Sequence, residues 1–351
     1  MLPPNAGAAL QAALPQVLAG LPATAVVRVF RALPGLAAAL PPGLRLSFAQ
    51  GMKPLHDALR AEGRGPVDDG LAEPAGLPAP SLALLLLPRS REEGRALLAR
   101  AVCGLAPGGR VLAAALNEEG AKAFERDLAA LMPLGGVLSK AHGRAFWTRP
   151  RPAMLEAATQ ALAERWIAAD APRHDVHTGL WTRPGVFNEG RLDAGSALLI
   201  AHLPASLCGR VADLGAGSGL LARAVLERCP GVTALELFEA EARALELARR
   251  HLAGARVPVG FHWHDVAAGV PGRFDAIVCN PPFHVGSRGV PALGKAFIAA
   301  AARALTREGQ LLLVANRHLP YEEALREAFG RGELLAGQGG FKVYRAWEPR
   351  P

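Results

Sequence analysis

Four consecutive residues, Asn280-Pro281-Pro282-Phe283, combine an amide, a rigid backbone and an aromatic ring in one short turn. The apolar, β-branched run before them, residues 275–279, predicts a short buried strand. Two prolines cannot continue a central strand, so the chain must turn sharply where that strand ends. Because open α/β sheets bind ligands at the carboxyl ends of their strands, this turn is expected to border a cleft.

This turn suits chemistry on an amine whose lone pair is delocalised into a ring, such as the exocyclic amine of a nucleobase. The side-chain carbonyl of Asn280 and the backbone carbonyl of Pro281 can each accept one N–H of that amine, which frees its lone pair for attack. The ring of Phe283 can stack on the base, and the two prolines, Pro282 included, keep the acceptors rigid. An Asn-Pro turn that only closes a strand, with Phe283 in the core, is the structural alternative.

A glycine-rich loop follows another predicted strand, residues 210–214. Asp213 stands at its head, and Gly215, Gly217 and Gly219 let the backbone approach a ligand where the next helix starts. The dinucleotide fingerprint G-x-G-x-x-G would need glycine at position 220 or 222, where the chain has leucine and alanine, so that interpretation fails. The remaining pattern, D-x-G-x-G-x-G, is that of a loop that binds S-adenosylmethionine.

Three further residues could complete a site for this methyl donor, which Asn280 would also border. Glu236 is predicted to end the second strand, where a carboxylate can accept both hydroxyls of a ribose, and Leu237 can pack on the adenine. Asp265 follows a third predicted strand and can accept from the adenine amine. Each acid alone is equally well explained as part of an exposed helix end. The order of glycine loop, two acids and Asn-Pro-Pro-Phe turn is specific and indicates a methyltransferase.

The elements that position these residues alternate between strand and helix in both halves of the chain. Three pairs of segments align between the halves: 83–88 with 276–281, 105–111 with 305–311, and 143–147 with 340–344. We therefore predict an α/β protein of two tandem class I methyltransferase-like domains, Rossmann-like and doubly wound, at residues 1–165 and 166–351. Leu87 replaces the asparagine in the first copy, which is expected to be degenerate. Shared α/β periodicity without a common origin is the alternative.

The composition of the chain indicates which kind of partner and which cellular compartment to expect. The 351 residues carry a formal net charge of +8, which favours an acidic partner such as nucleic acid. The four cysteines show no C-x-x-C spacing and indicate reduced thiols of a cytoplasmic protein. No segment predicts a membrane span, and no charged start of a signal peptide precedes Arg28. The histidine pairs at 174/177 and 262/264 lack a third ligand at useful spacing, so no metal is expected.

Six segments of the chain resemble the small-subunit 16S rRNA guanine-N2 methyltransferases of the RsmC type. They are PGVF (184–187), LDAGS (192–196), DLGAGSG (213–219), FDAIVCNPPFH (274–284), VANRHLPY (314–321) and FKVYRA (341–346). The resemblance implies S-adenosylmethionine-dependent methylation of the exocyclic N2 of guanine 1207 in 16S rRNA, within the 30S subunit. It also implies a degenerate first domain that binds RNA or stabilises the second. The family's motif roles fall on Asp213, Gly215, Gly217 and Glu236 for the methyl donor and on Asn280, Pro281 and Phe283 for the base.

The expected reaction is direct in-line transfer to a flipped guanine, without a covalent enzyme intermediate, by a protein that acts as a monomer. Residues 316–319, NRHL, also occur in the sister family that methylates a guanine of 23S rRNA, which is one alternative. A protein glutamine methyltransferase, whose motif is NPPY, is a second alternative. A non-catalytic rRNA chaperone that has kept the fold is the third.

Overall fold

The computed structural model describes residues 6–72, 76–187, 192–282, 284–285, 288–289 and 291–350. Within these residues the chain divides into two compact units, which are described separately. The first comprises the residues up to Pro172 together with Arg183–Gly185, and the second comprises Arg173–Thr182 and the residues from Val186 onward. Residue 165, the predicted domain boundary, falls inside the first unit.

The first unit is a seven-stranded mixed sheet with helices packed on both faces. Its elements are α1 (Ala6–Leu18), β1 (Val26–Phe30), β2 (Arg45–Ala49), α2 (Lys53–Glu62), β3 (Val67–Asp68), β4 (Leu82–Leu86), α3 (Arg91–Gly104), β5 (Arg110–Leu116), α4 (Ala121–Leu131), β6 (Leu134–Lys140), β7 (Gly143–Thr148) and α5 (Ala157–Ala169). The strand order is β3-β2-β1-β4-β5-β7-β6. All neighbours are parallel except β7, which pairs antiparallel with β5 and β6.

The second unit has the same architecture, preceded by a short hairpin. Its elements are β8 (Arg173–Asp175), β9 (Leu180–Thr182), α6 (Ala194–Ala201), β10 (Cys208–Leu214), α7 (Leu220–Arg228), β11 (Gly231–Glu239), α8 (Ala242–His251), β12 (Val259–Trp263), β13 (Phe274–Cys279), β14 (His284–Val285), β15 (Arg288–Gly289), α9 (Pro291–Ala304), β16 (Leu305–Asn316), α10 (Glu322–Ala328), β17 (Phe329–Gln338) and β18 (Phe341–Pro349). The main sheet runs β12-β11-β10-β13-β16-β18-β17. Both units thus share one strand order, and the predicted fold class of two doubly wound α/β domains is confirmed.

The core of the second unit lies on both faces of this sheet. In β13, Ile277 packs with α9 on one face, while Ala276 and Val278 pack with α6 and α7 on the other. Strand segments buried on both faces are apolar, which explains the hydrophobic runs at residues 276–279 of β13 and 311–315 of β16. The sheet is therefore a rigid support for the turns at its carboxyl edge.

One strand boundary differs from its prediction in a way that affects the site. Strand β11, the second strand of the main sheet in chain order, ends at Glu239, whereas the sequence predicted an end at Glu236. The polar residues of β11 lie among apolar ones, so hydrophobicity alone does not mark where the strand stops. Its pairing with β10 continues to Phe238 and so carries the strand further.

Helix α9, which begins shortly after the Asn-Pro-Pro-Phe turn, packs closely on the fully buried ring of Tyr321 at Gly294. A β-carbon at position 294 would overlap the phenol, and the surrounding core leaves that ring little freedom to move. We expect Gly294→Ala to lower the free energy of unfolding by about 1–3 kcal/mol, measured by thermal or denaturant unfolding.

Gly104→Ala is the matched control, because a β-carbon at the end of α3 would meet no neighbouring atom. Alanine is the better helix former, so this control is expected to leave stability unchanged or slightly raised. Equal losses in the two variants would show that contact with Tyr321 does not limit position 294.

Candidate active site

The candidate site lies where β10 and β13 end side by side. Their parallel register pairs Leu214 with Cys279, so the next residues, Gly215 and Asn280, leave the sheet together. The carbonyl oxygen of Asn280 lies 3.8 Å from the position that a β-carbon would take at Gly215. The structure thus brings the glycine loop and the Asn-Pro-Pro turn into contact. The cavity between them is lined by Phe187, Leu192, Asp193, Ser196, Asp213, Gly215, Ala216, Gly217, Ser218, Leu220, Leu221 and Asn280.

The glycine loop leaves the sheet through left-handed backbone. Gly215, Gly217 and Gly219 have φ angles of 72°, 55° and 82°, where a side chain would be strained. Gly219 starts α7, and a β-carbon there would lie 3.0 Å from the β-carbon of Ala248 in α8. The loop and the first turn of α7 can therefore approach a ligand with their backbone.

Asp213 is buried beneath the loop, with 1% of its surface exposed. Burial, and then the neighbouring Glu239 carboxylate, raise the pKa of Asp213 to about 8, against the opposing effect of the Ala222 backbone N–H. Apart from this N–H, neither carboxyl oxygen has a described hydrogen-bond donor. Because a buried carboxylate with so little compensation is unfavourable, a cationic ligand in this cavity would stabilise its charged form.

Glu239, which the sequence prediction missed, occupies the place assigned to Glu236. The register that pairs Leu214 with Phe238 brings Glu239 level with Gly215 at the end of β11. Its carboxylate accepts the backbone N–H of Gly217 at 2.7 Å and that of Glu241 at 2.7 Å. Burial raises the pKa of Glu239, although these N–H groups act in the opposite direction. Glu239 is thus attached to the glycine loop at the end of β11.

Glu236 lies deeper in the sheet, opposite Ala212. Its two carboxylate oxygens contact the Arg210 guanidinium at 2.7 Å and the His262 imidazole at 2.7 Å. Despite partial burial, these two partners hold the pKa of Glu236 below its usual value. Glu236 thus does not end the strand and, like Glu239, is not among the residues that line the cavity, so its contact with the ribose of the donor stays a prediction.

Leu237, next to Glu236 in β11, has a side chain that is fully buried in the core, and its packing on an adenine stays a prediction. Asp265 lies two residues beyond β12, as predicted, and accepts the backbone N–H of Ala267 at 3.0 Å. It caps a short 3-10 helix there and is not among the residues that line the cavity. Its contact with an adenine stays a prediction.

The side chain of Asn280 is held by two hydrogen bonds. Its side-chain Nδ2 donates to Asp193 Oδ2 at 3.1 Å and to Ser196 Oγ at 2.9 Å. Pro281 is buried and Pro282 is exposed, while Phe283 lies outside the described residues. Asp193 also caps α6 through its side chain, and its contact with Asn280 is not evident from the sequence.

The corresponding strand ends of the first unit carry different residues. Arg31 follows β1, where Gly215 follows β10, and its φ of 50° keeps the left-handed backbone. Its guanidinium donates to Glu93 of α3 at 3.0 Å. Leu87, which follows β4 in place of the asparagine, is buried. The first unit therefore lacks the side chains that form the site of the second.

Two further findings concern the described residues. No group of three or more His, Cys, Asp or Glu side chains among them is arranged to hold a metal ion. No helix in this part of the chain is both long and apolar enough to cross a membrane.

Fold and site together define a class I S-adenosylmethionine-dependent methyltransferase: a doubly wound sheet whose glycine loop and Asn-Pro-Pro turn meet at one edge. Residues 177–345 match the family model described as "Methyltransferase small domain". Over 334 residues, 95% of either chain, the sequence is 34% identical to "Ribosomal RNA small subunit methyltransferase C" of Pseudomonas aeruginosa (strain LESB58). The chain belongs to the ribosomal RNA small subunit methyltransferase C family, which confirms the resemblance found in its sequence.

Two other proteins extend this comparison. The protein of the same name from Salmonella newport (strain SL254) is 34% identical over 264 residues, 74% of this chain and 73% of its own. The solved T. thermophilus 16S rRNA N2 guanine 1207 methyltransferase (RsmC), in complex with AdoMet and guanosine, superimposes with a TM-score of 0.78. It is 24% identical in sequence, and the match covers 98% of this chain and 92% of that one. The two-unit fold is thus shared along nearly the whole chain.

The two acids of β11 can be separated by experiment. Glu239→Gln is expected to weaken S-adenosylmethionine binding about 10- to 100-fold, because a charged acceptor for ribose hydroxyls is lost. Glu236→Gln, the matched control, is expected to change the dissociation constant by less than about twofold, because the Glu236 carboxylate is already bound to Arg210 and His262 and has no contact with the glycine loop. Isothermal titration calorimetry measures both. A larger loss of S-adenosylmethionine affinity in Glu236→Gln than in Glu239→Gln would assign the ribose contact to Glu236.

Asp213→Asn keeps the shape of the side chain and removes its titration. The folded-state pKa of Asp213, about 8, exceeds the value of about 3.9 for an unfolded aspartate. The wild-type fold therefore loses stability as the pH rises from about 4 to about 8. We expect the ligand-free variant to melt at a higher temperature than the wild type at pH 8 and at the same temperature near pH 4.

The same variant should bind S-adenosylmethionine more weakly at pH 8, because its amide offers no charge to a cation. A melting difference that does not depend on pH would show that Asp213 is already ionised in the folded protein.

Proposed function

We propose that this protein transfers a methyl group from S-adenosylmethionine to the exocyclic N2 of guanine 1207 in 16S rRNA. Its membership of the family, and the activity by which the T. thermophilus relative is named, support this substrate. The observation that carries the proposal is the contact between the glycine loop and the Asn-Pro-Pro turn at one sheet edge. A donor held by the first and an amine held by the second would meet within that cleft.

The residues of the cleft fit the proposed methyl donor. S-adenosylmethionine supplies an electrophilic methyl group on a positively charged sulfonium. Asp213, a buried acid whose charge no described cation compensates, favours a cationic ligand. Gly215 and Gly217 allow the backbone to approach the ligand, and the carboxylate of Glu239 can accept from a ribose.

The target amine would be held by two oxygen acceptors. Asn280 Oδ1 and the carbonyl oxygen of Pro281 can each accept one N–H of the guanine amine, which frees the lone pair for in-line attack. Phe187 and Leu192 expose 61% and 43% of their surfaces at the cavity rim, where a flat base could pack. Stacking by Phe283 remains part of this proposal, although that residue lies outside the described part of the chain.

The wider setting of the reaction belongs to the same proposal. We propose that the monomeric protein acts in the cytoplasm on rRNA within the 30S subunit, where the net charge of +8 favours association with RNA. The first unit, which lacks the glycine loop and the asparagine, would bind RNA or stabilise the second unit. The target guanine must leave its stack to reach the cleft, at a cost of about a few kcal/mol unless the RNA is already open.

Transfer of labelled methyl from S-adenosylmethionine tests this function. Substrates are 30S subunits, 50S subunits and naked 16S rRNA from cells that lack the modification, with digestion to nucleosides and mapping of the labelled position. Label in 30S or 16S rRNA that digests to N2-methylguanosine and maps to guanine 1207 is the expected result. Label confined to 23S rRNA or to protein would overturn the substrate, and no label in any fraction would overturn the activity.

Asn280→Ala tests the proposed acceptor. We expect turnover to fall about 100-fold or more, because one of two preorganised acceptors for the reacting amine is lost. S-adenosylmethionine affinity should stay within about twofold, since the donor is held mainly by the glycine loop and Glu239. Single-turnover kinetics and calorimetry separate the two quantities. Near-normal turnover in this variant would rule out the proposed role of Asn280.

A further inference from the structure

The amide of Asn280 is held from one side only. An amide NH2 group has two hydrogens, and both have acceptors here: Asp193 Oδ2 at 3.1 Å and Ser196 Oγ at 2.9 Å. Its remaining polar atom is the carbonyl oxygen Oδ1. The cavity is lined by these same three residues, so this arrangement faces the proposed reaction space directly.

Asp193 divides its two oxygens between two tasks. Oδ1 accepts the backbone N–H groups of Gly195 at 2.9 Å and Ser196 at 3.2 Å, which caps α6. Oδ2 is thereby left for Asn280. A carboxylate can only accept hydrogen bonds, so the amide nitrogen, and never the amide oxygen, must face Asp193. The orientation of the Asn280 amide thus follows from the charge of its neighbour.

Close packing holds this cap in place. A β-carbon at Gly195 would lie 3.0 Å from Asp193 Oδ1 and 3.0 Å from the ring of Phe341. The first turn of α6 is therefore fitted between the carboxylate and β18, and Ser196 is 8% exposed. A cap fixed in this way holds Asp193 Oδ2 at one distance from the Asn-Pro-Pro turn, although the two residues are 87 positions apart in the sequence.

We propose that Asp193 and Ser196 are positioning residues that lock the Asn280 amide with Oδ1 toward the target, so that the site accepts only a nucleophile that bears N–H. The inference rests on the proposed function and deepens it. With both amide hydrogens used, Asn280 cannot donate to a ring nitrogen or to the O6 carbonyl of a purine. An exocyclic amine is the group on guanine that offers two N–H donors to two oxygen acceptors. The lock thereby selects the N2 amine over the other nucleophilic atoms of the base.

Asp193→Asn separates the lock from the helix cap. Asparagine caps helices as well as aspartate does. With its oxygen on the α6 backbone, however, it would present an NH2 group to the NH2 group of Asn280. We expect kcat to fall at least about tenfold, while the melting temperature and S-adenosylmethionine affinity stay close to those of the wild type. Ser196→Ala should cause a smaller loss of kcat, because one of the two acceptors remains.

Asp175→Asn is the matched control. Asp175 accepts the backbone N–H of His177 at 2.8 Å in the β8–β9 hairpin and has no role in the cleft. The same chemical change at this position is expected to leave kcat unaltered. A similar loss in both variants would show a general sensitivity to Asp-to-Asn changes and would overturn the assignment.

A reciprocal exchange gives a readout that a purely structural role would not produce. Asn280→Asp alone places two carboxylates against each other and should abolish turnover. Adding Asp193→Asn restores a donor and an acceptor, with the donor now on position 193. We expect the double variant to turn over at least about tenfold faster than Asn280→Asp. If the double variant instead lost kcat by the product of the two single losses, the proposed lock would be overturned.

The hydrogen bonds that hold the Asn280 amide can also be tested by NMR without any RNA substrate. In protein labelled with 15N-asparagine, the side-chain NH2 signal of Asn280 is identified by its absence in Asn280→Ala. We expect slow hydrogen exchange of this NH2 in the wild type and fast exchange in Asp193→Asn. Fast exchange in the wild type would overturn the lock whatever the enzyme methylates. Slow exchange in a protein that labels no RNA would overturn the proposed function and leave the lock standing.

Discussion

Everything at the cleft depends on the parallel register between β10 and β13. Because Leu214 pairs with Cys279, the turns that follow the two strands emerge at the same height and touch. A slip of one residue would turn every side chain of β13 to the opposite face of the sheet and separate Gly215 from Asn280. β11 ends at the same height, so Glu239 lies beside the glycine loop and accepts a hydrogen bond from Gly217. Three strand ends in one row therefore create the site.

The glycine loop and the Asn-Pro-Pro turn were predictable because each is a local pattern. Prolines end a central strand wherever they occur, and three closely spaced glycines after a strand predict a left-handed turn, as found at Gly215, Gly217 and Gly219. The second acid was not predictable in this way. Glu236 and Glu239 both interrupt one apolar run, and only the pairing of β11 with β10 decides which of them reaches the edge.

The orientation of the Asn280 amide is even harder to predict from the sequence. Asp193 and Ser196 are 87 and 84 residues away from it, and the segment around them displays only the signal of a capped helix. That signal is correct, since Asp193 does cap α6, but a cap uses one carboxylate oxygen and gives no sign of what the other contacts. Such contacts depend on how α6 packs against the sheet, which is a property of the whole unit.

The first unit keeps the strand order of the second without its site. Arg31 retains the left-handed backbone of Gly215 yet carries a guanidinium that bonds Glu93, and Leu87 follows β4 where Asn280 follows β13. The chain thus contains the same strand order twice, with the residues of the candidate site present at the strand ends of the second unit. Residue types shared at corresponding positions of the two units indicate requirements of the fold. Residue types that differ at the strand ends indicate additional requirements of methyl transfer. The protein therefore contains a comparison within one chain: the strand order is the same in both units, while the residues that follow the strands differ.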